Sequence, residues 1–372
     1  MDRKIESGCG CLLGMAAGDA MGNTVDKLTW DEICVNYGPN GLLGYDIANE
    51  DAQITSYTQL AAFVTNGLIL GAARGIPERY PRYVALGFRE WYKSQSFNVL
   101  TRERTHCWLA QVPQIRRRNC KDGRMADALQ RDIQFRESLQ REGLGTPEKP
   151  VFRSDAPGAL TAAVAVGLCA ETARLELEKT MRLGAEAVAL THGEPTAFLS
   201  GAFLAGVVAS ILEDPDQNLM KLYESLCEKL EEQFGKTWQE AKTVADLVRH
   251  AMALSRDAEL SSLAVMTMLG CTTAHECLAG AVYATLIHLG NFDEAMIAAV
   301  NHSGRSAAVA ALTGAVLGAR LGVDALPEFY MESLEPTEIL TELVVDLFNA
   351  RQVMNVFDDD WDQKYVQGRP VH

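Results

Sequence analysis

The residues best equipped for chemistry stand together in one short run, Asn301-His-Ser-Gly-Arg-Ser306, just before a stretch of small and apolar residues that reaches Val323. A helix that is apolar nearly all round is normally buried. Its first amides then open inside the molecule, where the helix dipole favours negative charge. Arg305 puts a cation there instead, flanked by the hydroxyls of Ser303 and Ser306 and the amide of Asn301. That knot is a candidate anion site, unless Arg305 turns to solvent or pairs with a remote acid. Carboxylates that could serve as acids or bases are scattered: Asp19, Asp26, Glu50, Asp51, Asp155 and Glu276. Asp19 stands among Ala and Met, where an ionised carboxylate is costly unless paired. It could be functional, or a structural acid capping a neighbouring element.

The elements that would position these groups are all helical. Gly10, Gly14, Gly18 and Gly22 recur at every fourth residue, as do Gly314, Gly318 and Gly322. Such spacing lines one helix face with glycine. Each glycine costs up to ~1 kcal/mol of helix stability relative to Ala, so close packing or close approach to a ligand must offset it. Thr29 with Glu32, Ser56 with Gln59 and Thr237 with Glu240 have capping-box spacing at helix starts. Pro77 is expected to open a helix to Trp91, and another is expected over Met125 to Arg141. In Thr191-His-Gly-Glu-Pro195 the glycine suits a left-handed helix end and the proline a first helical turn. Further helices are expected over Gly158 to Ala170, Leu175 to Leu190, Pro195 to Leu212, Leu219 to Phe234, Thr273 to Leu289, Phe292 to Val300 and Thr337 to Val356. Strand alternation is hard to find, so the class is all-α, read as one domain over residues 1–372.

Composition narrows the function. Of the 372 residues 48% are hydrophobic, ample for a large core, and the net charge of −15 argues against nucleic acid or an anionic membrane as a general partner. One basic island, Arg102, Arg104, Arg116, Arg117, Arg118, Lys121 and Arg124, breaks the acidic trend. Nine cysteines without CxxC spacing suggest neither a disulfide framework nor a zinc site. They fit buried thiols of a reducing cytoplasm. The longest apolar run, Ala197 to Leu212, is shorter than the ~20 residues of a bilayer span. No Walker, GxGxxG-after-strand, HExxH or GxSxG motif occurs.

Three separated stretches resemble the ADP-ribosylglycohydrolases. Gly10-Cys-Leu-Leu-Gly-Met-Ala-Ala-Gly-Asp-Ala-Met-Gly22 is similar to the family opening G-x-L-L-G-x-A-x-G-D-A-L-G, and Thr191-His-Gly-Glu-Pro195 to T-H-x-x-P. Asn291 to Ala295, Ala299-Val-Asn301, the glycine-ridged helix and Leu326-Pro-Glu328 follow the family's late pattern in order and spacing. The resemblance implies a compact orthogonal bundle of a dozen or more helices. For active members it also implies two Mg²⁺ ions, held by a T-D-D-T motif early and a D-x-D-[ST] motif late. Here the first reads Thr55-Ser56-Tyr57-Thr58 and the second Arg305-Ser306-Ala307-Ala308. The family's M-R becomes Thr161-Ala162, and of its G-W-x-A-E-E only Glu276 is kept, before Cys277. Four carboxylates facing two divalent cations cancel in charge; here all four are absent and a guanidinium appears.

The expectation is a metal-free, non-hydrolytic member of the fold, needing no cofactor. It would bind ADP-ribose, a related nucleotide or an ADP-ribosylated protein through Arg305, Ser303, Ser306, Tyr57, Ser56, Thr55 and Asn301. The alternatives are a metal-independent glycohydrolase using two of the carboxylates, with Asp19, Asp51 and Glu276 as first candidates, and a structural or interaction protein of crystallin-like type.

Overall fold

The computed structural model describes residues 2–47, 52–74, 79–96, 105–116, 125–130, 143–353 and 359–371. The protein is all-α, and among the described residues the only strand-like pairing is an isolated bridge between Ala52 and Leu334. The centre is an antiparallel pair, α1 (Arg3–Val25) and the late helix Ser306–Leu321. Between them in the chain come α2 (Trp30–Tyr37), α3 (Ser56–Arg74), α4 (Tyr80–Ser96), α5 (Leu160–Cys169), α6 (Leu177–Ala189), α7 (Pro195–Glu213), α8 (Leu219–Phe234), α9 (Glu240–Leu254), α10 (Ser262–Leu269), α11 (Ala274–Ile287) and α12 (Phe292–Val300). The central late helix is thus α13, followed by α14 (Glu328–Glu332) and α15 (Thr337–Val353).

The two glycine ridges meet face to face. A methyl group on Gly18 would lie 2.1 Å from the Ala310 carbonyl oxygen, and one on Gly14 would lie 2.3 Å from that of Gly314. At this range only hydrogen fits, so the helix-propensity cost of the glycines is offset by backbone-to-backbone packing along the whole seam. The seam also fixes register: a methyl on Gly22 would fall 2.5 Å from the Ser306 carbonyl oxygen, so the end of α1 sits against the start of α13. Gly322 extends the contact to Gly10, where a methyl would lie 2.8 Å from the Gly322 carbonyl carbon, and has a second task. It closes α13 with φ +83° and its amide bonds back to Gly318 O at 2.9 Å, as a left-handed terminator should.

Helix ends follow the caps only in part. Thr29 and Glu32 form the expected reciprocal box, Glu32 N–H to the Thr29 hydroxyl at 3.3 Å and Thr29 N–H to Glu32 Oε2 at 2.8 Å. The Ser56 and Gln59 pair does not: Gln59 Oε1 instead accepts from Trp91 Nε1 at 3.2 Å, and another helix caps α3. The Thr237 and Glu240 box is also absent, because the Thr237 and Trp238 amides both bond back to Phe234 O and prolong the end of α8. Gly193 does not adopt a left-handed conformation; a methyl there would meet Pro150 Cβ at 2.1 Å. Pro195 opens α7 as expected. That helix, 19 residues and apolar enough to cross a bilayer by composition, is 83% buried within the bundle. Pro77 and residues 131–141 of the expected Met125 helix lie outside the described residues, and α4 begins at Tyr80.

Candidate functional site

The end of α1 and the starts of α3, α11 and α13 converge on one spot, and most of the sequence's candidate residues are there. Asp19 is fully buried and is spent on α3. Its Oδ1 accepts the Thr55 hydroxyl at 2.7 Å, while Oδ2 accepts the Thr55 amide at 2.8 Å, the Thr58 amide at 3.1 Å and the Thr58 hydroxyl at 2.7 Å. The orphan amides at the start of α3 therefore find their cap on a different helix. Burial raises the Asp19 carboxyl above its ordinary range, against the pull of these four donors. Ser56 follows as the first, buried residue of α3.

Glu276 is similarly committed. Its Oε2 accepts the Thr272 amide at 3.0 Å, the Thr272 hydroxyl at 2.6 Å and the Thr273 amide at 3.0 Å, capping α11. Burial pushes this carboxyl up, but the donors outweigh it and hold Glu276 below its usual range. Asp155 is exposed, and its carbonyl accepts the Ala274 amide at 2.6 Å. Asp51 and Glu50 lie outside the described residues, as do all the basic-island residues except Arg116.

The polar knot is largely self-stapled. Asn301 Oδ1 accepts the Leu42 amide at 2.8 Å and its Nδ2 donates to Leu42 O and Ile297 O, both at 2.9 Å. This clamps the loop after α2, where Gly41 has φ +72° and a methyl would fall 2.2 Å from Asn301 Oδ1. Ser303 accepts the Trp30 amide at 2.8 Å at the start of α2, and the Ser306 hydroxyl donates to Val300 O at 2.8 Å. His302, not singled out by sequence, is the knot's core. The Gly304 amide donates to its Nδ1 at 3.0 Å, so Nε2 carries the proton and donates to Ala299 O at 3.0 Å. Burial lowers its pKa to about 4.

Arg305 stands apart from this stapling. Its amide donates to Cys271 O at 2.8 Å, across a residue held at φ +51°. Its half-buried guanidinium makes no hydrogen bond or ion pair with any described residue. The Asp26 carboxylate, just past α1, accepts the Ala307 amide at 3.3 Å. Tyr57, only 7% exposed, is set among Cys277, Asp26 and Arg305. Burial raises its phenol well above the ordinary value, so it stays protonated, and its hydroxyl has no partner among the described residues. Thr161 braces this turn of α3 by donating to Tyr57 O at 2.7 Å. Among the described residues no three His, Cys, Asp or Glu side chains are grouped to hold a metal ion.

The ADP-ribosylglycohydrolase family model matches residues 2–356. The chain belongs to that family. A solved structure described as an ADP-ribosylglycohydrolase-related protein complex is similar in fold, with a TM-score of 0.58 at 19% identity over 94% of this chain and 100% of that one. No curated protein matches the sequence. Within the family's fold, the positions gathered at the starts of α3 and α13 are those that sequence had marked as departing from its metal motifs.

Proposed function

We propose that the protein is a non-hydrolytic member of the ADP-ribosylglycohydrolase family that binds ADP-ribose, a related nucleotide or an ADP-ribosylated protein without metal. The observation that carries this reading is the Arg305 guanidinium, held at the head of a buried helix with no acid paired to it among the described residues. A planar fork of donors in that position suits a phosphate, and the helix dipole adds to the attraction. The neutral Tyr57 phenol supplies a further donor beside it.

The donor set does not suit a pair of divalent cations. Mg²⁺ needs several hard oxygen ligands in octahedral array. At the start of α3 the Thr55 hydroxyl is already bonded to Asp19, and Tyr57 is kept uncharged. At the start of α13 Arg305 brings a guanidinium, the Ser306 hydroxyl is already bonded to Val300 O, Ala307 and Ala308 bring only methyl groups, and Asp26 is the one carboxylate nearby. Two carboxylates proposed from sequence as acids or bases, Asp19 and Glu276, are engaged in helix caps, which supports binding over hydrolysis. The thiols, all free among the described residues, fit the reducing cytoplasm we assign to it.

Isothermal titration with ADP-ribose tests the reading. Arg305→Ala is expected to weaken binding by about tenfold or more, equivalent to at least ~1.4 kcal/mol, close to the lower end of the ~1.5 to 3 kcal/mol of a hydrogen bond to a charged group. EDTA should leave the wild-type affinity unchanged. Equal affinity in wild type and Arg305→Ala would refute the role of Arg305. Turnover of ADP-ribosylated arginine or serine peptides in EDTA would replace a binder by a metal-independent hydrolase.

A further inference from the structure

The loop that Asn301 clamps also carries apolar side chains to the surface. Leu43 and Ile47 are 55% and 50% exposed, and Phe329 at the start of α14 is 43% exposed. Loop and helix form one surface: a methyl on Gly44 would stand 3.5 Å from Phe329 Cζ, and the Tyr45 ring, between Leu43 and Ile47 in the chain, meets the Phe329 ring edge-on at 5.9 Å between centroids. Its support is rigid. The Tyr330 ring lies 4.0 Å from that of Phe329, and its hydroxyl donates to Asp293 Oδ1 at 2.7 Å, while Leu42 is fixed at amide and carbonyl by Asn301. Contiguous exposed apolar surface marks an interaction site, and side chains already held in place lose little freedom when covered.

The charge around this patch selects the class of partner. From Leu28 to Ile47 and from Gly322 to Ala350 the chain has no lysine or arginine, and neither has α12. Acids stand there instead. Asp46 adjoins Ile47, and Glu328 and Glu332, exposed one turn apart on α14, form no ion pair with any described residue. On α6, α8 and α9, by contrast, acids have partners: Glu178 pairs with Lys229, Glu224 with Arg249 and Asp246 with Lys242. An unpaired acidic border repels nucleic acid, an anionic membrane and the same face of a second copy. It attracts a protein segment whose apolar side chains are flanked by Lys or Arg, since complementary charge steers the encounter and suppresses wrong partners.

We infer that Leu43, Ile47 and Phe329 form a docking surface for a basic amphipathic segment of a partner protein. Phe329, braced by Tyr45 and Tyr330, is its central anchor, and Glu328 and Glu332 take the partner's cations. This goes beyond the anion role of Arg305 proposed above and does not depend on it.

The probe is a fluorescein-labelled peptide with leucines at helical spacing on one face and lysines on the other, titrated by fluorescence anisotropy beside its glutamate counterpart. The variants are Phe329→Ser, the double charge reversal Glu328→Lys with Glu332→Lys, and as control the equal reversal Glu228→Lys with Glu232→Lys on exposed positions of α8. Thermal melts check that each is folded, and Leu43→Ser on the loop takes the place of Phe329→Ser should that variant unfold. The lysine peptide is expected to bind wild type and the control alike and to bind the face variants about tenfold more weakly, while the glutamate peptide does not bind. No binding of the lysine peptide, equal binding of the two peptides, or an equal loss in the control overturns the inference. A dimer in sedimentation velocity that Phe329→Ser or Leu43→Ser dissociates would assign the face to a second copy and overturn it as well.

Discussion

The glycine seam makes the most quantitative claim about this molecule, and Gly318→Ala tests it. A methyl at Gly318 would sit 1.9 Å from the Gly10 carbonyl oxygen and 2.6 Å from its carbonyl carbon. Both obstacles are backbone of a buried helix, so no side-chain rotation relieves them. The axes of α1 and α13 would have to part by more than 1 Å there, loosening the neighbouring contact in which a methyl on Gly314 would lie 2.0 Å from Gly14 O. Overpacking of this kind costs ~1 to 3 kcal/mol or more, against which alanine recovers up to ~1 kcal/mol of helix propensity. A net loss of ~1 to 2 kcal/mol is expected for Gly318→Ala and a larger one for Gly318→Leu. Gly290 is the control, since nothing lies within 4 Å of a methyl built on it and its φ is not left-handed. Gly290→Ala should stay within about 0.5 kcal/mol of wild type. Urea denaturation followed by far-UV circular dichroism reads the difference, and a Gly318→Ala midpoint equal to that of Gly290→Ala would refute the seam.

Two further outcomes follow from buried titratable groups. Asp19→Ala should cost at least ~3 kcal/mol in the same denaturation assay, because it strands the Thr55 and Thr58 amides and hydroxyls that Asp19 accepts; Asp19→Asn, which keeps one acceptor oxygen, should lose less, and an undamaged Asp19→Ala would show that α3 is capped otherwise. His302, with its pKa lowered to about 4 from an ordinary ~6.5, binds fewer protons folded than unfolded. Its contribution is complete above pH ~6.5 and falls away as the pH drops toward 4, reaching ~3 kcal/mol. His302→Gln should flatten that part of the stability profile, and an unchanged slope would show that the histidine is not held neutral.

Much of the fold was legible because its signals are local or periodic. Fourfold glycine spacing in two places implied two helices in contact, and Gly10, Gly14 and Gly18 do meet Gly318, Gly314 and Ala310. Thr29 with Glu32 carried its own cap within four residues. The same spacing misled where tertiary structure offered better partners. Gln59 turns from its helix start to Trp91, and Thr237 is absorbed into the last turn of α8. Helix α10, Ser262–Leu269, escaped notice because its eight residues are apolar without a clear polar face.

The site was legible only at its anomaly. Arg305 stood out because a cation at the head of a buried helix needs an answer, and that reasoning holds whichever residue supplies it. The acid that does reach this helix head could not be read from the sequence, since Asp26 lies 281 positions from the Ala307 amide it accepts, leaves Arg305 unpaired, and arrives only through the register of the glycine seam. The same register brings Asp19 to α3, turning one early acid into a cap and leaving the other at the head of α13. Two aspartates seven residues apart are thus separated in role by helix geometry. Seven residues is nearly two full turns of α1, yet α1 ends at Val25, so Asp26 has left the helix face on which Asp19 lies. Asp19, inside the helix, can meet only what packs on that face, and it is consumed there. Asp26, just beyond it, has left that face and meets the first turn of α13 instead, where it accepts the Ala307 amide at 3.3 Å.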